Sequence, residues 1–358
     1  MSSCRPTAVK RRTLSMTTDQ ILPPQPLTHA LVIITNRCNA RCTFCQYASI
    51  PTKAATDEPA KKWIAAISRL RQAGTQRLVI SGGEPLLHQS CNDIVRYSAS
   101  VMQKVILCTN GTPLDASSML LMDHSSLQWN ISLHGADAVT HDSVTGTPGG
   151  FSHITALLDK LTQRSIASTV AFNTTCHDAL TDYRPLIRLA EQLQVGQITI
   201  NPVWSQSVGN CHANAQDLSQ AVKDREYAEK HGLSLIDLRI PDVIRSPGCH
   251  EVLTGMLINP SGECYPCMHA ADGFYPDHTR SFGNAFREPI QSIRSSPRYI
   301  EFCRQGYHRN ASCCTACHAP VRRSSLYEYL KWSQSTIQTP VPHNTNKAAM
   351  PQGGMHYG

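Results

Sequence analysis

Six times between His29 and Trp204 the chain passes through a short, continuously apolar segment that runs into a polar or glycine-containing turn. The segments are His29–Asn36, Gln76–Gly83, Lys104–Gly111, Leu127–Gly135, Ala167–Thr175 and Gly196–Trp204. Between them, Glu58–Gly74 has helical spacing, with Trp63, Ile64, Ile67 and Leu70 on one face, and Phe151–Ser165 and Tyr183–Gln194 read as helices too. A strand covered on both faces has no need of polar alternation, so short apolar runs separated by helices call for a parallel sheet under helices. The expected fold class is α/β: a partial (β/α)6 TIM-like barrel, smaller than the eight-unit version, with a small cysteine-rich C-terminal domain. The boundaries expected are a flexible N-terminus over 1–27, the barrel over 28–235, the cysteine-rich domain over 236–330 and a disordered tail over 331–358, where "TPVPHNTNKAAMPQGGMHYG" has almost nothing to bury.

Composition removes several classes. No apolar run approaches the roughly 20 residues that span a bilayer, so no membrane association is expected. The formal charge of +7 is mild for 358 residues, and no Lys/Arg stripe interleaved with aromatics points to nucleic acid. Fifteen cysteines without a secretory signal suit a reducing compartment, where clustered thiols serve metals or catalysis rather than disulfides. Arg5, Lys10, Arg11 and Arg12 precede the first acid, Asp19, which resembles a weak organelle-targeting leader. The segment is short, and the cytoplasm is the expected location.

The first strand runs into "NRCNARCTFCQY", where Cys38, Cys42 and Cys45 place three thiols within eight residues. An odd set cannot close into disulfides. A structural zinc site would need a fourth ligand nearby, and the nearest histidine, His29, stands at the other end of the strand. Three cysteines on a four-iron cubane leave one iron open to a small molecule, which fits a catalytic cluster at the strands' carboxyl ends.

The spacing Cys38-x3-Cys42-x2-Cys45, with Phe44 before the last cysteine, closely resembles the signature of radical S-adenosylmethionine enzymes. The resemblance implies that the open iron of a [4Fe–4S] cluster binds the methionine amino and carboxylate groups of S-adenosyl-L-methionine. It also implies an electron supplied by a reductant such as flavodoxin or ferredoxin, and a 5′-deoxyadenosyl radical that abstracts hydrogen from substrate. "SGGEPLL" after the second strand looks like the family's motif for the methionine amino group: Gly82 and Gly83 allow close backbone approach, and Glu84 is expected to meet the ammonium. Thr109 and Asn110 after the third strand, and Ser132 and His134 after the fourth, are expected near ribose and carboxylate. Asn173 and the turn Thr199–Pro202 are expected to frame the adenine.

From Pro247 to Pro320 the chain is rich in Cys, Gly and Pro. Cys249, "LINPSGECYPC" up to Cys267, the Gly-Asn turn in Ser281–Tyr299 and Cys314-x2-Cys317 resemble the auxiliary-cluster extension called SPASM, or its shorter relative, twitch. That resemblance assigns Cys249, Cys267, Cys314 and Cys317 to one auxiliary [4Fe–4S] cluster, with Cys313 as an alternative to Cys314. Cys264, Cys303 and Cys313 are then too few for a second set unless His269, His308 or water contributes. A structural zinc knuckle is the other reading of this region.

The pocket decides the fate of the radical. Cys176 and Cys108 are candidate thiol donors for an epimerase, and Asp137, His141 and Asp142 candidate bases beside the radical centre. Oxidation is favoured over epimerisation, because a fully ligated second cluster suits electron transfer. The short segment before the first strand and the single auxiliary cluster point to a small polar metabolite such as a sugar or aminocyclitol. A peptide-modifying maturase acting on a ribosomally made precursor is the alternative, and a non-enzymatic iron–sulfur sensor a remote third.

Overall fold

The computed structural model describes residues 25–45, 57–113, 118, 120–162, 169–176, 181–202, 219–237, 251–267 and 281–307. Seven strands lie parallel in chain order: β1 His29–Ile33, β2 Arg77–Ser81, β3 Lys104–Thr109, β4 Leu127–Ser132, β5 Thr169–Cys176, β6 Gln197–Pro202 and β7 Ser234–Asp237. Between them run α1 Ala60–Gln72, α2 Cys91–Val101, α3 Ala138–Thr145, α4 Gly150–Thr162, α5 Arg184–Gln192 and α6 Ser219–Lys230. Beyond β1 the sheet gains β8 Leu257–Ile258, parallel to β1, and β9 Cys264–Tyr265, antiparallel to β8. The sheet is therefore nine-stranded and unclosed, with β7 and β9 at its edges. It is the expected α/β partial barrel, with the C-terminal hairpin added to the sheet beside β1.

Register fixes the core. Val32, Ile80, Leu107 and Trp129 stand opposite one another across β1 to β4, and all four are fully buried. Trp63, Ile67 and Leu70 of α1 are buried with them in one cluster, each large side chain contributing about 1.5–3 kcal/mol. A Cβ on Gly111 would stand 3.0 Å from Ile154 of α4 and 3.4 Å from Ile131, so Ile131 faces a helix. Its neighbours Asn130 and Ser132 therefore point to the opposite, concave face. There the row Cys108–Asn130–Ala171–Gln197 follows the strand register, and Asn130 and Gln197 are buried. The interior of an ordinary barrel is filled with branched apolar side chains. This one carries amides.

The seventh unit, α6 and β7, departs from the six expected. Lys223, Asp224, Arg225, Glu226, Glu229 and Lys230 leave α6 no apolar stripe, and it buries Ala221, Asp224 and Ala228 instead. Strand β7 has four residues. The helix α2 is amphipathic, burying Cys91, Ile94, Val95, Ser98 and Ala99 at helical spacing. At the C-terminal hairpin the turn is closed by Gly262, at φ +84°, whose N–H donates to Asn259 O at 2.9 Å. The helices α7 Glu251–Thr254, α8 Ile290–Arg294 and α9 Pro297–Tyr307 complete the described chain. Among the described residues no helix is long and apolar enough to cross a membrane.

Candidate active site at the rim of the sheet

The loop from Asn36 to Cys45 leaves the carboxyl end of β1 and is gripped from two sides. On one side Gly83 N–H donates to Thr35 O at 2.8 Å, and Glu84 N–H to Arg37 O at 2.7 Å. A Cβ on Gly83 would lie 2.4 Å from Arg37 O, and one on Gly82 2.6 Å from Thr35 O. The two glycines thus admit the backbone of the cysteine loop itself. Arg37 spans further, its guanidinium bonding the Asp57 carboxylate and Leu87 O, while Thr35 Oγ1 donates to Asp57 at 2.7 Å. On the other side Arg41 and Thr43 N–H donate to Thr145 O and Val144 O at the end of α3, both at 2.9 Å. Phe44 packs on His134, with ring centroids 4.8 Å apart.

All three cysteines of the loop are free thiols, Cys38 exposed and Cys42 and Cys45 half-buried. Burial, then the charges of Cys45 and Cys38, pushes the Cys42 thiol up to about 12. Desolvation by the protein packed around the exposed Cys38 raises its thiol too, with smaller contributions from Glu84 and Cys45. The thiols are thus close enough to repel one another as thiolates, and bound iron reverses that repulsion. Among the described residues no three His, Cys, Asp or Glu side chains converge on a single ion position. A cubane takes each cysteine on a different iron, so three neighbouring thiols on one loop fit a cluster.

The candidate ligands around this loop divide into two sets. Glu84 is fully buried, and its carboxylate accepts from Leu86 N–H (3.0 Å), Thr109 Oγ1 (2.7 Å) and Asn110 N–H (2.7 Å). Burial pushes it up to about 7 against these three donors. The carboxylate expected to meet the ammonium is thus engaged inside the protein, where it fixes the turn after β3. Thr109 is engaged with Glu84 and with Gly111 N–H, and the Asn110 amide with Asn39 and Thr112. Ser132 and Asn173 are more open. They pair in register where β4 ends beside the middle of β5, half-buried next to Thr199 of β6, and Asn201 donates to the Asn173 side chain.

His134 accepts Thr175 N–H on Nδ1 at 3.1 Å, and its backbone N–H donates to His141 Nδ1 at 3.1 Å. Asp137 caps α3 through Thr140, and Asp142 accepts from Gly149 and Phe151 N–H. The three candidate bases are thus engaged in holding the turn after β4: His141 is buried, and its burial pulls its basicity down. Cys108 faces the concave side, where Asn130 Nδ2 donates to its sulfur at 3.7 Å, and burial holds the thiol up at about 11. Asn130 Oδ1 is buried without a partner among the described residues. Cys176 ends β5 opposite Pro202, and its side chain lies outside the described residues.

In the C-terminal region Cys267 is buried just after the hairpin, while Cys249, Cys313, Cys314 and Cys317 lie outside the described residues. Cys264 and Cys303 are buried, their thiols donating to Gly262 O at 3.6 Å and Val252 O at 2.9 Å. Sequence reasoning passed over Asn39, Arg37 with Asp57, and the buried amide Asn130. The alternation Gln128, Asn130, Ser132 against Leu127, Trp129, Ile131 carried the signal for the last of these.

Comparison with known proteins agrees with this arrangement. Residues 32–189 match the radical SAM superfamily, and residues 249–318 match the SPASM iron–sulfur cluster-binding domain. The chain is 25% identical over 325 residues to the antilisterial bacteriocin subtilosin biosynthesis protein AlbA of Bacillus subtilis, covering 85% of this chain and 70% of that one. It is 25% identical over 294 residues to the PqqA peptide cyclase of Rhizobium meliloti, covering 77% and 75%. Streptococcus suis SuiB, crystallised with its precursor peptide SuiA, has the same fold at a TM-score of 0.66 and 16% identity, covering 84% of this chain and 71% of that one.

Proposed function

From the premise that the chain carries a radical SAM domain followed by a SPASM domain, we propose that it modifies a ribosomally made precursor peptide. When bound, the cluster and S-adenosylmethionine supply a 5′-deoxyadenosyl radical that removes a substrate hydrogen atom. The observation that carries the peptide reading is the similarity to PqqA peptide cyclase, which runs through 77% of the chain rather than the barrel alone. It favours the maturase over the small polar metabolite expected from the short N-terminal segment.

The residues of the chain divide the work. The loop of Cys38, Cys42 and Cys45 holds the catalytic cluster, and the rim residues Ser132, His134 and Asn173 line the S-adenosylmethionine site. Cys249, Cys267, Cys317 and one of Cys313 or Cys314 hold the auxiliary cluster. On the concave face Asn130 offers its Oδ1 to a polar chain, beside Gln128 and Gln197, which bond each other. Removing two electrons from the substrate, with the auxiliary cluster accepting the second, is the favoured outcome. The Cys108 thiol is protonated at neutral pH and stands on the same face as the competing hydrogen donor.

The test is anaerobic turnover in heavy water with synthetic peptides made from the short reading frames that flank the gene. The expected product is two mass units lighter. One deuterium gained, and lost again in Cys108→Ala or Cys176→Ala, makes the enzyme an epimerase. A peptide left unchanged, while a cell-extract metabolite fraction stimulates 5′-deoxyadenosine formation, overturns the peptide reading.

A further inference from the structure

Asn39, between the first two loop cysteines, closes a ring of side-chain hydrogen bonds with the turn after β3. Asn39 Nδ2 donates to Thr112 Oγ1 at 2.6 Å, Thr112 Oγ1 donates to Asn110 Oδ1 at 2.7 Å, and Asn110 Nδ2 donates to Asn39 Oδ1 at 2.8 Å. Each hydroxyl or amide group both gives and receives; turning one amide alone would set donor against donor, and turning both would set the Asn110 NH2 against Thr112 N–H. The Asn110 amide is occupied further, because its Oδ1 also accepts Thr112 N–H at 3.0 Å.

A second path links the same elements through the backbone. Asn110 N–H donates to the buried Glu84 carboxylate, and Glu84 N–H donates to Arg37 O, two residues before Asn39. The cysteine loop, the turn after β2 and the turn after β3 thus form one hydrogen-bonded circuit. The loop itself has no regular secondary structure. Ordering such a segment costs conformational entropy, part of which the circuit offsets before any ligand arrives.

We propose that Asn39 is a positioning residue that locks the cysteine loop to the turn after β3, and that Asn110 serves this brace rather than touching S-adenosylmethionine. The proposal rests on the radical SAM and SPASM domains and is independent of the substrate. It sets the cluster loop against the cofactor rim, so loosening the ring weakens cofactor binding without removing a cofactor contact.

The experiment uses the reconstituted full-length protein with S-adenosylmethionine as the probe. Affinity is read from the change in the EPR spectrum of the dithionite-reduced protein on titration. Asn39→Ala, Asn110→Ala and Thr112→Val should each weaken binding about fivefold to tenfold. The double variant Asn39→Ala with Asn110→Ala should be no worse than the weaker-binding single, as members of one unit behave. Thr112→Ser, which keeps the hydroxyl, should bind like the parent. Without S-adenosylmethionine, amide hydrogen exchange should accelerate in both 36–45 and 110–112 when Asn39 alone is changed. The proposal is overturned if Asn39→Ala binds normally, if the two single effects multiply in the double variant, or if exchange in 110–112 ignores Asn39→Ala. Multiplying effects would place Asn110 directly on the cofactor.

Discussion

The carboxylate of Glu84 and the backbone N–H of Asn110 meet at 2.7 Å, joining the turn after β2 to the turn after β3 inside the protein. Burial lifts this carboxyl from its ordinary 4.5 to about 7. The folded protein then keeps a proton that the unfolded chain releases above 4.5. Stability is greatest below that value and falls as pH rises towards and through 7. Between pH 5 and pH 8 the parent should lose about 2 kcal/mol relative to Glu84→Gln, whose side chain does not titrate. Urea unfolding at the two pH values measures it, and an unchanged gap would count against the buried carboxyl.

Gly83 is constrained by neighbouring backbone rather than by its own torsion. An added Cβ would stand 2.4 Å from Arg37 O and 2.7 Å from Arg37 C, neither of which can rotate away. Gly83→Ala should displace the cysteine loop and lower iron after reconstitution from about eight per chain towards about four. Iron analysis beside circular dichroism separates loss of the cluster from loss of the fold.

At the opposite end of β1, His29 Nε2 and Glu251 Oε2 lie 3.0 Å apart, both nearly inaccessible. The pair ties the first strand to α7, where the C-terminal region begins to join the sheet. Removing the Glu251 carboxylate takes away the hydrogen bond that it shares with buried His29 Nε2, so Glu251→Ala should cost about 1–3 kcal/mol. Gly255→Ala should damage the same place, because its Cβ would lie 2.6 Å from Glu251 Oε1 and 2.7 Å from His29 Nε2. The midpoint of chemical unfolding measures both.

How much of this was legible in the sequence depended on whether the signal was local. The strands β1 to β6 were readable, since each is a short run of apolar and β-branched residues, continuous or alternating, whereas α6 and β7 were hidden by charge and shortness. The cysteine loop was readable because three thiols in eight residues have few uses. Glu84, Thr109 and Asn110 were picked out as rim residues. That they bond one another could not be read, because the partners stand about 25 residues apart and meet only through strand register. Asn39 carried no signal of its own, since its partners lie 71 and 73 residues away.

The account stands most directly on what Cys38, Cys42 and Cys45 support. The measurement is 5′-deoxyadenosine formed from S-adenosylmethionine by anaerobically reconstituted, dithionite-reduced protein, compared with the variant carrying all three cysteines as alanine. The parent should form 5′-deoxyadenosine, and the triple variant none, while it keeps about four irons in the C-terminal domain. A triple variant that still forms 5′-deoxyadenosine would contradict the assignment of this loop as the catalytic centre.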